Sequence, residues 1–116
     1  MTDVRTLSTE DLRQRLGEVN GLQVWNVQTD QFFSGELIPG THRVALDTLE
    51  QRAASVGKDA PIVTYCEGPQ CPQNREAAEK LTARGFTDVH VYTDGLQGWK
   101  TAGHEVVHAS QPVPAA

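Results

Sequence analysis

The chain has 116 residues, with ten basic side chains against fifteen acidic ones for a net charge of −5, and two cysteines. This is the length of one domain able to bury its own core without disulfide or metal support. The acidic balance, without any Lys/Arg cluster, lacks the basic footprint that nucleic-acid binding needs. Met1 to Thr9 holds no apolar leader core and no apolar run approaches a membrane span, so a cytoplasmic protein with neither nucleic-acid nor membrane partner is expected.

In chain order, Ser8 can cap a first helix with Asp11 in its first turn, Leu7 and Leu12 can pack as a staple, and Gly17 can end it. Leu22 to Val27 reads as a strand. A short helical turn is predicted around Asp30 to Phe33. Ile38–Pro39–Gly40 is a turn signal, since Pro presets φ and Gly tolerates positive φ. Arg43 to Leu46 should be extended, and Asp47 with Glu50 has the form of a capping box for a helix reaching about Val56, closed by Gly57.

Pro61 to Cys66 is an uncharged β-branched and aromatic run, the pattern of a central strand covered on both faces. A helix over Gln73 to Arg84 would bury Ala77, Ala78 and Leu81 and stop at Gly85, and Val89 to Tyr92 forms another strand. Asp94 can cap a last short helix carrying Leu96 and Trp99, ended by Gly103. Helix and strand alternating in this rhythm predict a parallel sheet with helices on both faces. Such sheets carry their sites at the carboxyl ends of strands, where Cys66 falls.

Cys66 and Cys71 lie five positions apart, and paired thiols in a reducing compartment are more often catalytic, redox-active or metal-binding than structural. Cys–x4–Cys is not a usual zinc spacing and no second ligand pair is evident, so neither a metal nor a cofactor is expected. The loop is Cys66–Glu67–Gly68–Pro69–Gln70–Cys71–Pro72, running into a helix. Inward-facing N–H groups ahead of a helix N-terminus would stabilise a thiolate, a persulfide or an incoming oxyanion. Gly68 would supply unusual dihedrals, Pro69 and Pro72 stiffness, and Pro72 fits the first helical position with Cys71 as N-cap. Cys71 is a candidate resolving thiol, or a loop cysteine without a role. Arg75 is a candidate for drawing an anionic substrate, or a solvated surface residue. Glu67 would repel a thiolate if it pointed inward and is expected to face solvent. The four histidines make no catalytic or metal spacing and are assigned to surface or strand-edge positions, while Trp25 and Trp99 are assigned to the core.

Ile62–Val63–Thr64–Tyr65–Cys66 with its loop, the Ala77–Ala78–Leu81 helix, Gly85–Phe86, Val89 to Val91 and Asp94–Gly95–Leu96–Gln97–Gly98–Trp99–Lys100–Thr101–Ala102–Gly103 together resemble a rhodanese-like domain, as does Ile38–Pro39–Gly40. The resemblance implies an α/β three-layer domain, a central mainly parallel sheet flanked by helices, over residues 16–108. A helix over 8–16 would pack on it, and residues 109–116 would form a flexible tail. It also implies a sulfurtransferase carrying sulfur as a persulfide on Cys66, its partners a small anionic sulfur donor, such as thiosulfate, and a protein thiol acceptor. The alternatives are dithiol redox or oxyanion reduction by Cys66 and Cys71, and a non-catalytic binding module. Three positions depart from the family pattern. Asn26–Val27–Gln28 replaces Asp–Val–Arg, Leu37 replaces a His, and Cys71 stands where the loop Arg is usual, in a loop about two residues longer, of the Cys–x–Gly–Pro–x–Cys variant.

Overall fold

The computed structural model describes residues 5–18, 22–28, 35–68 and 72–108. The elements are β1 (Arg5–Leu7), α1 (Thr9–Glu18), β2 (Gln23–Asn26), β3 (Glu36–Leu37), β4 (His42–Arg43), α2 (Leu49–Ala53), β5 (Ile62–Tyr65), α3 (Pro72–Ala83), β6 (Val89–Tyr92), α4 (Gly95–Thr101) and β7 (Val107–His108). The helical turn expected around Asp30 to Phe33 and the tail over 109–116 lie outside the described residues.

Five strands form one sheet in the order β1-β6-β5-β2-β4, every neighbouring pair parallel. Parallel pairing turns all carboxyl ends to one edge, and β5 occupies the centre. Its residues alternate as strand geometry requires. Ile62 joins Trp25, Leu49, Ala53, Ala77, Ala78 and Leu81 on the face covered by α2 and α3. Val63 and Tyr65 join Leu12, Ile38, Leu96 and Trp99 on the face covered by α1 and α4. Burial on both sides explains why β5 carries no charge.

The structure extends or corrects several expectations. Residues 5–7 form a strand pairing with β6, from Arg5 opposite His90 to Leu7 opposite Tyr92. Ser8 does cap α1: Asp11 N donates to Ser8 Oγ at 3.1 Å. The helix nevertheless continues through Gly17 to Glu18. The capping box proposed for Asp47 and Glu50 is not formed. A 3-10 turn over Leu46–Thr48 intervenes, α2 starts only at Leu49 and ends at Ala53, and neither cap position makes a side-chain bond. The extended segment shortens to His42–Arg43. A second, two-stranded antiparallel sheet pairs β3 with β7, Leu37 opposite Val107. His90 is buried on β6, inside the sheet rather than at an edge. Burial holds its imidazole below the usual histidine range despite Asp88 Oδ1 lying 3.3 Å from Nδ1.

Candidate active site

Cys66 follows directly on β5 at the carboxyl edge of the sheet and is completely buried. Two neighbours fix its backbone. On the β2 side, Val27 N donates to Tyr65 O at 2.9 Å. On the other, the first turn of α4 reaches the loop: Leu96 N donates to Cys66 O at 3.0 Å and Gln97 N to Glu67 O at 2.8 Å. Gly95 makes this approach possible. Its φ is +63°, and a Cβ there would stand 2.5 Å from Cys66 O and 2.8 Å from Gly68 N. Any side chain would both strain the backbone and force the loop away. Asp94 occupies the cap position of α4 without making a side-chain cap bond, so the loop carbonyls rather than Asp94 satisfy the helix's leading amides.

Beyond the loop, α3 begins at Pro72, as the first-position preference of proline predicts. Asn74 pins its first turn to the sheet. Thr64 Oγ1 donates to Asn74 Oδ1 at 2.8 Å, and Asn74 Nδ2 donates to Tyr92 O at 3.1 Å, all buried. Asn74 thus ties α3 to β5 and β6 at once. The sequence holds a signal for it: Asn74 shares the spacing of Ala77, Ala78 and Leu81, so it is a polar residue on an apolar helical face.

The Ile38–Pro39–Gly40 turn is tied to the same strand. The Tyr65 hydroxyl accepts from Ile38 N at 3.0 Å and lies 2.7 Å from Thr41 Oγ1. Burial outweighs these bonds and pushes the Tyr65 phenol up to about 12. Asn26 and Gln28, where the family pattern has a charged pair, bond as amides. Asn26 Nδ2 donates to Gln28 Oε1 at 3.1 Å, and Gln28 N donates to Asn26 Oδ1 at 3.0 Å. Arg43 Nη2 donates to Gln28 O at 3.2 Å, bringing a guanidinium to the end of β2.

Two expectations about the loop change. Gly68 does not adopt a positive φ. A Cβ there would stand 2.6 Å from Gln97 Oε1, the movable end of a side chain. Glu67 does not simply face solvent: it is half-buried, and its Oε1 is buried without a hydrogen-bond partner among the described residues. Arg75 is exposed on α3 and makes no ion pair among the described residues. Pro69, Gln70 and Cys71 lie outside the described residues. Cys66 is disulfide-bonded. The sequence holds one other cysteine, Cys71. Among the described residues, no three His, Cys, Asp or Glu side chains gather as a metal site, and no helix is long and apolar enough to cross a membrane.

Cys66 thus stands at the end of a central parallel strand, with the first turn of α4 bonded to its carbonyl. The rhodanese-like domain pattern matches residues 8–102. The chain belongs to the rhodanese-like domain family. Among curated proteins, this rhodanese-like domain is similar to the thiosulfate sulfurtransferase GlpE of Pseudomonas aeruginosa, 30% identical over 95 residues, covering 82% of this chain and 83% of the relative. A second relative of the same name, from Shewanella oneidensis, is 26% identical over 102 residues, covering 88% of this chain and 98% of that protein. Among solved structures, the BH2092 protein of Bacillus halodurans superposes with a TM-score of 0.80 at 24% identity, over 90% of this chain and 77% of the other. The rhodanese-like domain of the Anabaena Alr3790 protein gives 0.78 at 23%, over 98% and 88%. These structures show the fold, an α/β sandwich of helices on a parallel sheet.

Proposed function

We propose that this rhodanese-like domain is a cytoplasmic sulfurtransferase that carries sulfur as a persulfide on Cys66. The observation behind this reading is the placement of Cys66 at the carboxyl end of β5, its carbonyl held by Leu96 N. A thiol reductant supplying two electrons first frees Cys66 from its disulfide. The thiolate then attacks the terminal sulfur of a donor. The donor's sulfur–sulfur bond breaks, its electron pair leaves with the remainder, and Cys66 keeps the extra sulfur. An acceptor thiolate, on a protein partner, attacks that outer sulfur and expels Cys66 as thiolate, restoring the start. Mass spectrometry of the reduced protein after exposure to sulfur donors should show a one-sulfur gain that Cys66→Ala abolishes. No gain with any donor defeats the reading.

The disulfide at Cys66 favours a second reading, in which Cys66 and Cys71 cycle between dithiol and disulfide as a redox or reductase pair. Cys71 is then the resolving thiol: its thiolate attacks the Cys66 sulfur of a persulfide or a sulfenic acid, the S–S or S–O bond breaks, and hydrosulfide or hydroxide leaves as the disulfide forms. Loss of both thiols in the monomer after mild oxidation, prevented by Cys71→Ala, supports it. Retention of both thiols ends it.

A further inference from the structure

The carboxylate of Glu67 is the one charged group joined directly to the Cys66 position, and its environment is unusual. Oε1 is buried with no hydrogen-bond donor among the described residues, although surface carboxylates ordinarily find water or a cation. The nearby cation is committed elsewhere: Lys100 Nζ lies 2.7 Å from Glu36 Oε1. The Lys100 ammonium is held above its usual range first by that bond, with Glu67 adding to the effect, which places Glu67 within its electrostatic reach. Glu36, Lys100 and Glu67 together carry a net charge of −1. Asp94 adds a second carboxylate beside Gly95, where α4 meets the loop.

We infer that Glu67 sets the class of sulfur donor, turning away dianions such as thiosulfate and leaving Cys66 to be loaded by thiol persulfides. This rests on the sulfur-carrier reading above. In the favoured step, the Cys66 thiolate attacks the terminal sulfur of R–S–SH. The S–S bond of the donor breaks, R–S⁻ leaves with the electron pair, and Cys66–S–SH forms, so a neutral donor enters and the thiolate's single negative charge departs on R–S⁻. With thiosulfate, two negative charges must approach a thiolate already flanked by a carboxylate. Adjacent residues place the carboxylate within about 10 Å of the sulfur. Coulomb's law at about 8 Å and the dielectric of water gives roughly a fivefold penalty on a dianion, and more where water is excluded, as at Oε1.

The test uses the full chain, reduced beforehand, at a fixed low ionic strength of about 0.01 M, where the Debye length of about 30 Å leaves the interaction nearly unscreened. The second-order rate of the one-sulfur mass gain is measured with thiosulfate and with cysteine persulfide, in the wild type, Glu67→Gln and Glu67→Ala. Both variants should raise the thiosulfate rate about fivefold or more, while the cysteine persulfide rate stays within about twofold. Thermal melts confirm that each is folded, and two different replacements guard against an effect of shape. An unchanged thiosulfate rate, or an equal rise with both donors, overturns the inference while leaving the sulfur-carrier reading intact. Loading of the wild type by neither donor defeats that reading and this inference together.

Discussion

The hydroxyl of Tyr65 joins the residue before Cys66 to the Ile38–Pro39–Gly40 turn, through Ile38 N and Thr41 Oγ1. Tyr65→Phe would leave the buried Ile38 N–H unpaired, a loss of about 1–3 kcal/mol measurable by urea unfolding. The same residue predicts behaviour at high pH. Its folded value, about 12, exceeds the unfolded value near 10, so the unfolded state releases its proton first. The contribution is complete below pH about 10 and lost as pH rises to about 12, on the order of 3 kcal/mol in all. Tyr65→Phe should flatten that fall in the urea midpoint. His90 works in the opposite direction. Burial lowers its folded value, so the unfolded chain takes up the proton first and stability declines as pH falls below about 6.5. His90→Gln should reduce that acid-side slope.

At the scale of elements, the Cys66 loop is held at both ends, by α4 before it in space and by α3 after it in sequence. Asn74→Ala would unpin α3 from Thr64 and Tyr92 and leave buried groups unpaired. We expect a loss of about 1–3 kcal/mol by urea unfolding, together with slower sulfur loading of Cys66. Gly95→Ala should do more damage to loading than to the far side of the sheet, because its Cβ meets the Cys66 and Glu67 backbone. Loading at the wild-type rate in Gly95→Ala would contradict the role given to α4. Much of this site is legible in the residues alone. An uncharged β-branched run ending in cysteine, followed by a Gly/Pro loop and an Ala-rich helical face, specifies a buried strand, a turn and a packed helix through local pattern. The contacts that hold the loop are not local. Leu96 N reaches Cys66 O across thirty positions of sequence, and neither residue type marks the other. Short elements were the least legible: β3, β4 and β7 span two residues each, too few for periodicity to register. The 3-10 turn stands in place of the expected capping box where Leu49 is buried in the core with Val44 and Leu46 packs against it, and tertiary burial outranks a local cap.

Across the whole molecule, five parallel strands leave two sheet edges, β1 and β4. The β1 edge is made by Arg5–Leu7, and Leu7 is buried there. Removing residues 1–7 would bare the side of β6 and forfeit the burial of Leu7, roughly 1.5–3 kcal/mol for that side chain alone. Differential scanning calorimetry should show a lower Tm for the truncated chain, and size-exclusion chromatography a tendency to associate through the bared strand. An unchanged Tm would show that β1 adds nothing to the sheet.

The bonds from Leu96 and Gln97 to the loop carbonyls have a consequence for how the molecule can be watched. Each of these amides is closed off from deuterium only while Cys66 O and Glu67 O stay in place. They are therefore two resident clocks, far along the chain from the cysteine yet timed by it. If the loop loosens when Cys66 is reduced, their exchange should quicken together. If it keeps its shape through the sulfur cycle, they should run at the same pace in the disulfide, thiol and persulfide forms.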